Sequence, residues 1–155
     1  MRTTHRRIAF STSPASAVEL SLVPQDYIDG IWPQAEPHLL RSYRRSDQNI
    51  PVNLRDDLRN GMRQLWLLTQ GDVTIVAAGV TCIVALRSGL ALKIEHFGGS
   101  SLGQWLHLLE ELEDYARHQG CKKVMWEGRK GWIRLLADYE VTAWVMEKRL
   151  EDDGQ

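Results

Sequence analysis

Apolar residues recur along this chain with two different periods. Val18, Leu20 and Leu22 alternate with Ala17, Glu19 and Ser21, a period of two that predicts a half-buried strand closed by Pro24. Residues 26–45 then switch to helical spacing, with Tyr27, Ile31, Leu39 and Tyr43 as apolar positions. Pro33 and Pro37 fall inside this stretch and predict a kinked helix or two short pieces. Asn53 is a good N-cap for a second helix that repeats Leu54, Leu58 and Met62. Residues 64–70 and 72–86 read as strands joined at Gly71-Asp72, a tight-hairpin signal. Arg87-Ser88-Gly89 makes the next turn, residues 90–97 form a third strand, and the run from Gly98 to Ser101 breaks it. The clearest helix follows. Ser101 can cap it, Leu102, Trp105, Leu106, Leu109, Leu112 and Ala116 share one face, and Gly120 ends it. Residues 121–127 read as a strand, 130–137 as a short helix and 141–148 as a last strand.

The predicted order is β-α-α-β-β-β-α-β-α-β. Short connections then favour an α/β fold with a mixed sheet, antiparallel in its middle and covered by helices on both faces. The strand at 90–97, the helix after it and the strand at 121–127 make a crossover, so those two strands should be parallel neighbours. One domain over residues 14–150 is expected. A basic arm precedes it at 1–13, carrying Arg2, His5, Arg6 and Arg7 without an acid, and an acidic tail follows at 151–155.

Composition narrows the classes. In 155 residues, hydrophobic types make up 43% and charged types 25%, which excludes a wholly disordered chain. Lys plus Arg (19) nearly cancels Asp plus Glu (20), so no global field points to nucleic acid or an anionic membrane. The longest near-apolar run, residues 73–86, is shorter than the roughly 20 residues a membrane helix needs. Cys82 and Cys121 form no CxxC pair and read as buried thiols of a reducing compartment. His107 and Glu111, or His118 and Cys121, do not have metal-site spacing, so no metal is expected. Arg41, Arg44 and Arg45 suit a solvated helix C-terminus. Gly128-Arg129-Lys130-Gly131-Trp132 places cations and an aromatic at a strand-to-helix junction.

The element order, with a Gly-rich bend between the fourth strand and the long helix, resembles the GNAT acyltransferase superfamily over residues 17–150. Trp66-Leu67-Leu68, the strand containing Ile75, and the stretch from Glu127 to Trp132 resemble GNAT-like proteins of tailed phages and prophages. The family implies acetyl-CoA at the bend, its pyrophosphate held by backbone N–H groups and a helix N-terminus. On this chain the family's loop maps onto His96, Gly98, Gly99, Ser100, Ser101, Leu102 and Gly103, with Gly99 the full match. The family's general base, a Glu on the fourth strand, maps onto Glu95. Strand parity puts Glu95 beside Lys93, and burial would raise its pKa toward that of a useful base. Where the family carries a Tyr acid, this chain has Arg134, a guanidinium that stays protonated, and Tyr139 becomes a packed aromatic.

These departures favour a phage-type GNAT-fold protein, catalytically degenerate and serving as a structural or assembly component of a virion. Such a protein would need no cofactor, and its partners would be virion chains or further copies of itself. The six Trp residues offer interface material, and the arm could dock on a neighbour. The alternative is an active acetyl-CoA-dependent N-acetyltransferase acting on an amine of a small molecule or protein. Either reading places the chain in the virion or cytoplasm of a bacterial host, with no membrane partner.

Overall fold

The computed structural model describes residues 17–45, 50–71, 74–99, 105–127 and 131–150. Five strands form one sheet in chain order: β1 (Val18–Leu22), β2 (Gln64–Gln70), β3 (Thr74–Leu86), β4 (Gly89–Gly99) and β5 (Lys123–Trp126). β1 to β4 are an antiparallel meander, and β5 joins β4 in parallel, as the crossover requires. The basic arm at 1–13 and the tail at 151–155 lie outside the described residues, and so does the hairpin tip at Asp72 and Val73. Among the described residues no helix is long and apolar enough to cross a membrane.

Alternation along the strands feeds two cores. Leu65, Leu67, Ala78 and Val80 face α1 (Ile28–Arg44) and α2 (Leu54–Arg59). Trp66, Leu68, Ala77, Leu92 and Ile94 face α3 (Leu109–His118) and α4 (Trp132–Leu135). The α/β sheet with helices on both faces is therefore present.

Four expectations need correction. The region before Arg45 is a 3-10 turn at Gln25–Tyr27 and one helix, not two pieces, despite Pro33 and Pro37. Ile28, Trp32, Ala35, Leu39 and Tyr43 bury one face, while both prolines are exposed, where water can take the carbonyls that lose N–H partners. α2 ends at Arg59, and Gly61, at φ +80°, turns the chain so that Met62 is exposed. The long helix begins in the described residues with a 3-10 turn at Leu106–Leu108; Gly120 closes it at φ +78°. Residues 141–148 form no strand. A strand needs a neighbouring ladder, and this segment has none among the described residues, leaving Val145 and Met146 86% and 93% exposed.

Candidate functional site

β4 is the element that positions the site. It pairs with β3 along its whole length, from Leu86↔Gly89 to Ala77↔Gly99. Its parallel pairing with β5 covers only Ala91↔Lys123 to Ile94↔Trp126. Beyond Ile94 the two strands part. Backbone groups of residues 95–99 that point toward β5 thus have no strand partner among the described residues, an open edge inside the domain.

A bulge sits at the same point. Val80 opposes His96 and Thr81 opposes Ile94, so Glu95 is an extra residue on β4. The spacing of residues facing α3 becomes three, from Ile94 to Phe97, and both Glu95 and His96 turn to the α1 face. Opposite the bulge, buried Thr81 accepts from Trp66 Nε1 at 3.0 Å and donates to Gln64 Oε1 at 3.0 Å.

On that face lies a cavity of about 190 Å³ lined by Tyr43, Pro51, Arg63, Lys93, Glu95, His96 and Glu127. Arg63 Nε donates to Glu95 Oε2 at 2.8 Å, and its other arm pairs with Asp57. The Cys82 thiol donates to Glu95 Oε1 at 3.4 Å. Lys93 pairs with Glu127 at 2.9 Å, so the expected Glu95–Lys93 pair is replaced by two others. The expected upward shift of Glu95 is also replaced. Burial alone would raise its carboxyl, but the hydrogen bond and charge of Arg63, with the Cys82 thiol and Lys93, hold it below its ordinary value. Burial, then Glu95, pushes the Cys82 thiol up to about 11. Burial, then Glu95, pushes the Tyr43 phenol up to about 12. His96 stacks on Tyr43 with ring centroids 3.8 Å apart, and its Nδ1 lies 3.4 Å from Ser42 Oγ. Burial, aided by Lys93, lowers the His96 pKa against the pull of Glu95 and Glu127, which favours neutral imidazole.

The other face of the fork is aromatic. Phe97 packs on Trp105 at 4.8 Å, and Trp126 on Trp132 at 4.6 Å. Trp105 is 2% exposed, as its helix-face position predicts, and its Nε1 is buried without a hydrogen-bond partner among the described residues.

Of the residues mapped to the family's loop, His96, Gly98 and Gly99 belong to β4, not to a bend. Ser100, Ser101, Leu102 and Gly103 lie outside the described residues. A Cβ on Gly98 would stand 2.5 Å from the His38 carbonyl oxygen, so this glycine lets α1 approach the sheet. Arg134 is exposed on α4, away from the cavity lining. Tyr139 packs on the α3-side core and donates to Glu113 Oε1 at 3.2 Å, the packed aromatic that was expected. Sequence reading missed Arg63 and Tyr43 as site residues. Arg63 lies in a loop without a motif, and Tyr43 reads as an ordinary apolar helix position.

No family model matches the chain, and no curated protein does. Solved structures do. An aminoglycoside acetyltransferase from an uncultured soil metagenomic sample superposes with TM-score 0.63 at 10% identity, covering 89% of this chain and 97% of its own. A predicted acetyltransferase from Clostridium acetobutylicum, solved with acetyl-CoA, gives 0.59 at 12%, covering 85% and 96%. A GNAT family acetyltransferase from Staphylococcus aureus gives 0.54 at 14%, covering 86% and 98%. At such identities the likeness shows the fold, and the fold of this chain is GNAT-like.

Proposed function

We propose that this protein is an acyl-CoA-dependent N-acyltransferase, with acetyl-CoA as donor and an amine as acceptor. The observation that carries the reading is the fork after Ile94, where a β4 edge without a strand partner among the described residues meets a polar cavity on one face. The structural likeness to acetyltransferases supports this enzymatic alternative over the virion scaffold, which gains no support from those structures.

The residues present suit such a donor. An extended, amide-bearing pantetheine arm can pair with the β4 edge beyond Ile94, which has no strand partner among the described residues, and the indole N–H of Trp105, buried without a hydrogen-bond partner among them, offers one more donor nearby. When bound, acetyl-CoA supplies an acetyl group activated as a thioester. The chain's own residues handle the acceptor. Glu95 and Glu127 offer carboxylate oxygens to an amine entering the cavity, their charges balanced by Arg63 and Lys93, with which they pair. Glu95, the expected base, is a weak one while Arg63 holds it as an anion, whereas His96 lines the same cavity and is kept neutral. His96 is accordingly the group better suited to take the amine's proton.

Calorimetric titration with acetyl-CoA, together with free-thiol release in the presence of a panel of amines, tests the reading. Saturable binding lost in Gly99→Asp, with amine-dependent thiol release, is expected. No binding at millimolar acetyl-CoA would overturn it.

A further inference from the structure

We propose that the cavity binds a small zwitterion as its acceptor, a primary amine that also carries a carboxylate, received by the Lys93–Glu127 pair as it opens. The inference rests on the acyltransferase reading for the fate of the amine, and its test separates the two.

The cavity contains two ion pairs of different strength. Arg63 is fully committed: its Nε and Nη2 donate to Glu95 at 2.8 and 3.3 Å, and its Nη1 pairs with Asp57. The Glu95 side chain is only 16% exposed. The Lys93–Glu127 pair is a contact of 2.9 Å, and Glu127 is 61% exposed. A pair so open to water contributes little and separates easily. It also bridges the fork, since Lys93 stands on β4 and Glu127 directly follows the last residue of β5. A ligand entering at the fork meets this pair.

Charge then selects the ligand. A plain cationic amine takes Glu127 only by stripping Lys93 of its counter-ion. Glu95 attracts Lys93 as well, yet both Glu95 oxygens already accept, from Arg63 and the Cys82 thiol. An amine with a carboxylate replaces one ion pair with two, its ammonium on Glu127 and its carboxylate on Lys93, and strands no charge in a half-buried site. Among the described lining residues Arg63 and Lys93 balance Glu95 and Glu127, so the cavity has no excess charge to attract a polycation. Size points the same way. A volume of about 190 Å³ falls below the roughly 300 Å³ at which sites for drug-sized ligands begin. His96 borders the same space and can receive the proton that the ammonium sheds before attack.

Thiol release from acetyl-CoA is measured with glycine, β-alanine and γ-aminobutyrate, with propylamine and glycinamide, which lack the carboxylate, and with kanamycin. At least one amino acid should exceed every amine without a carboxylate by about tenfold or more in kcat/KM, the worth of one hydrogen bond to a charged group. Lys93→Met keeps the apolar stem and should erase that ratio, whereas Lys93→Arg should retain it. Binding is read apart from turnover, on the full chain with CoA present, from backbone amide shifts at residues 92–96 and 124–127. The amino acids should move these amides at concentrations where propylamine does not. Equal or better turnover of propylamine or kanamycin would overturn the proposal and leave the acyltransferase reading intact. Amide shifts with the amino acids, lost in Lys93→Met but without thiol release, would support the zwitterion site and overturn the acyltransferase reading. Absence of shifts with all three amino acids, or a ratio that survives in Lys93→Met, would overturn the proposal.

Discussion

Glu95 shows how far a single residue can be read from sequence. Strand parity put its side chain on the face shared with Lys93, and the cavity contains both. Its partner could not be read, because Arg63 lies 32 residues earlier in a loop and reaches Glu95 only once β2 and β4 are in one sheet. That partner reverses the expected pKa shift. A carboxyl whose folded pKa is lowered contributes stability that is present above its unfolded value and lost as pH falls through the folded one. The parent should therefore lose stability on acidification below about pH 4.5, the ordinary Glu value. Glu95→Gln keeps the shape and leaves Arg63 with Asp57 alone. It should cost about 2 kcal/mol at pH 7, within the range of hydrogen bonds to charged groups. It should also flatten the acid limb of the stability curve. Urea melts of both proteins between pH 3 and 7 check this; parallel curves would show that the Arg63–Glu95 pair contributes nothing.

Elements were legible where their pattern is local. The meander strands and the apolar stripe of α3 follow from periods of two and 3.6, and Trp105 is buried where that stripe put it. β4 was read two residues short at its C-terminal end, because Gly98-Gly99 resembles a turn when only backbone freedom is considered. The glycine at 98 answers a tertiary demand instead. α1 crosses β4 so closely that a Cβ there would stand 2.7 Å from Ser42 Cβ as well as 2.5 Å from the His38 carbonyl. Backbone cannot swing aside as a side-chain tip can, so α1 itself would have to move. Gly98→Val should destabilise the fold by about 1–3 kcal/mol, the usual range for overpacking. It should also loosen the stack of Tyr43 on His96, both of which border that crossing. Guanidinium melts give the first quantity and tyrosine fluorescence the second. A variant as stable as the parent would mean that Gly98 is only a flexible joint. The last strand failed for the opposite reason. Residues 141–146 are mostly apolar, but composition specifies neither a face nor a partner, and a ladder needs both.

At the scale of the molecule, the order of assembly in the sequence matches the order of strands in the sheet. β1 to β4 are neighbours in chain and space, and β2, β3 and β4 are bound by long ladders. β5 and α4 are held differently. A ladder of four residues ties β5 to β4, and α4 is a single turn whose anchors are Trp132, Leu136 and Tyr139 on the α3-side core. The two parts should therefore open separately, since cooperative units follow the density of buried contacts and ladders. Native-state hydrogen exchange in low denaturant can separate them. Amides of β2, β3 and the first half of β4 should exchange only by global unfolding. Those of β5 and α4 should exchange through a smaller opening with a lower denaturant dependence, because less surface is exposed. The fork between β4 and β5 would then be the seam along which the domain yields first. If β5 amides share the protection and denaturant slope of β3, the domain opens as one unit and the fork is rigid.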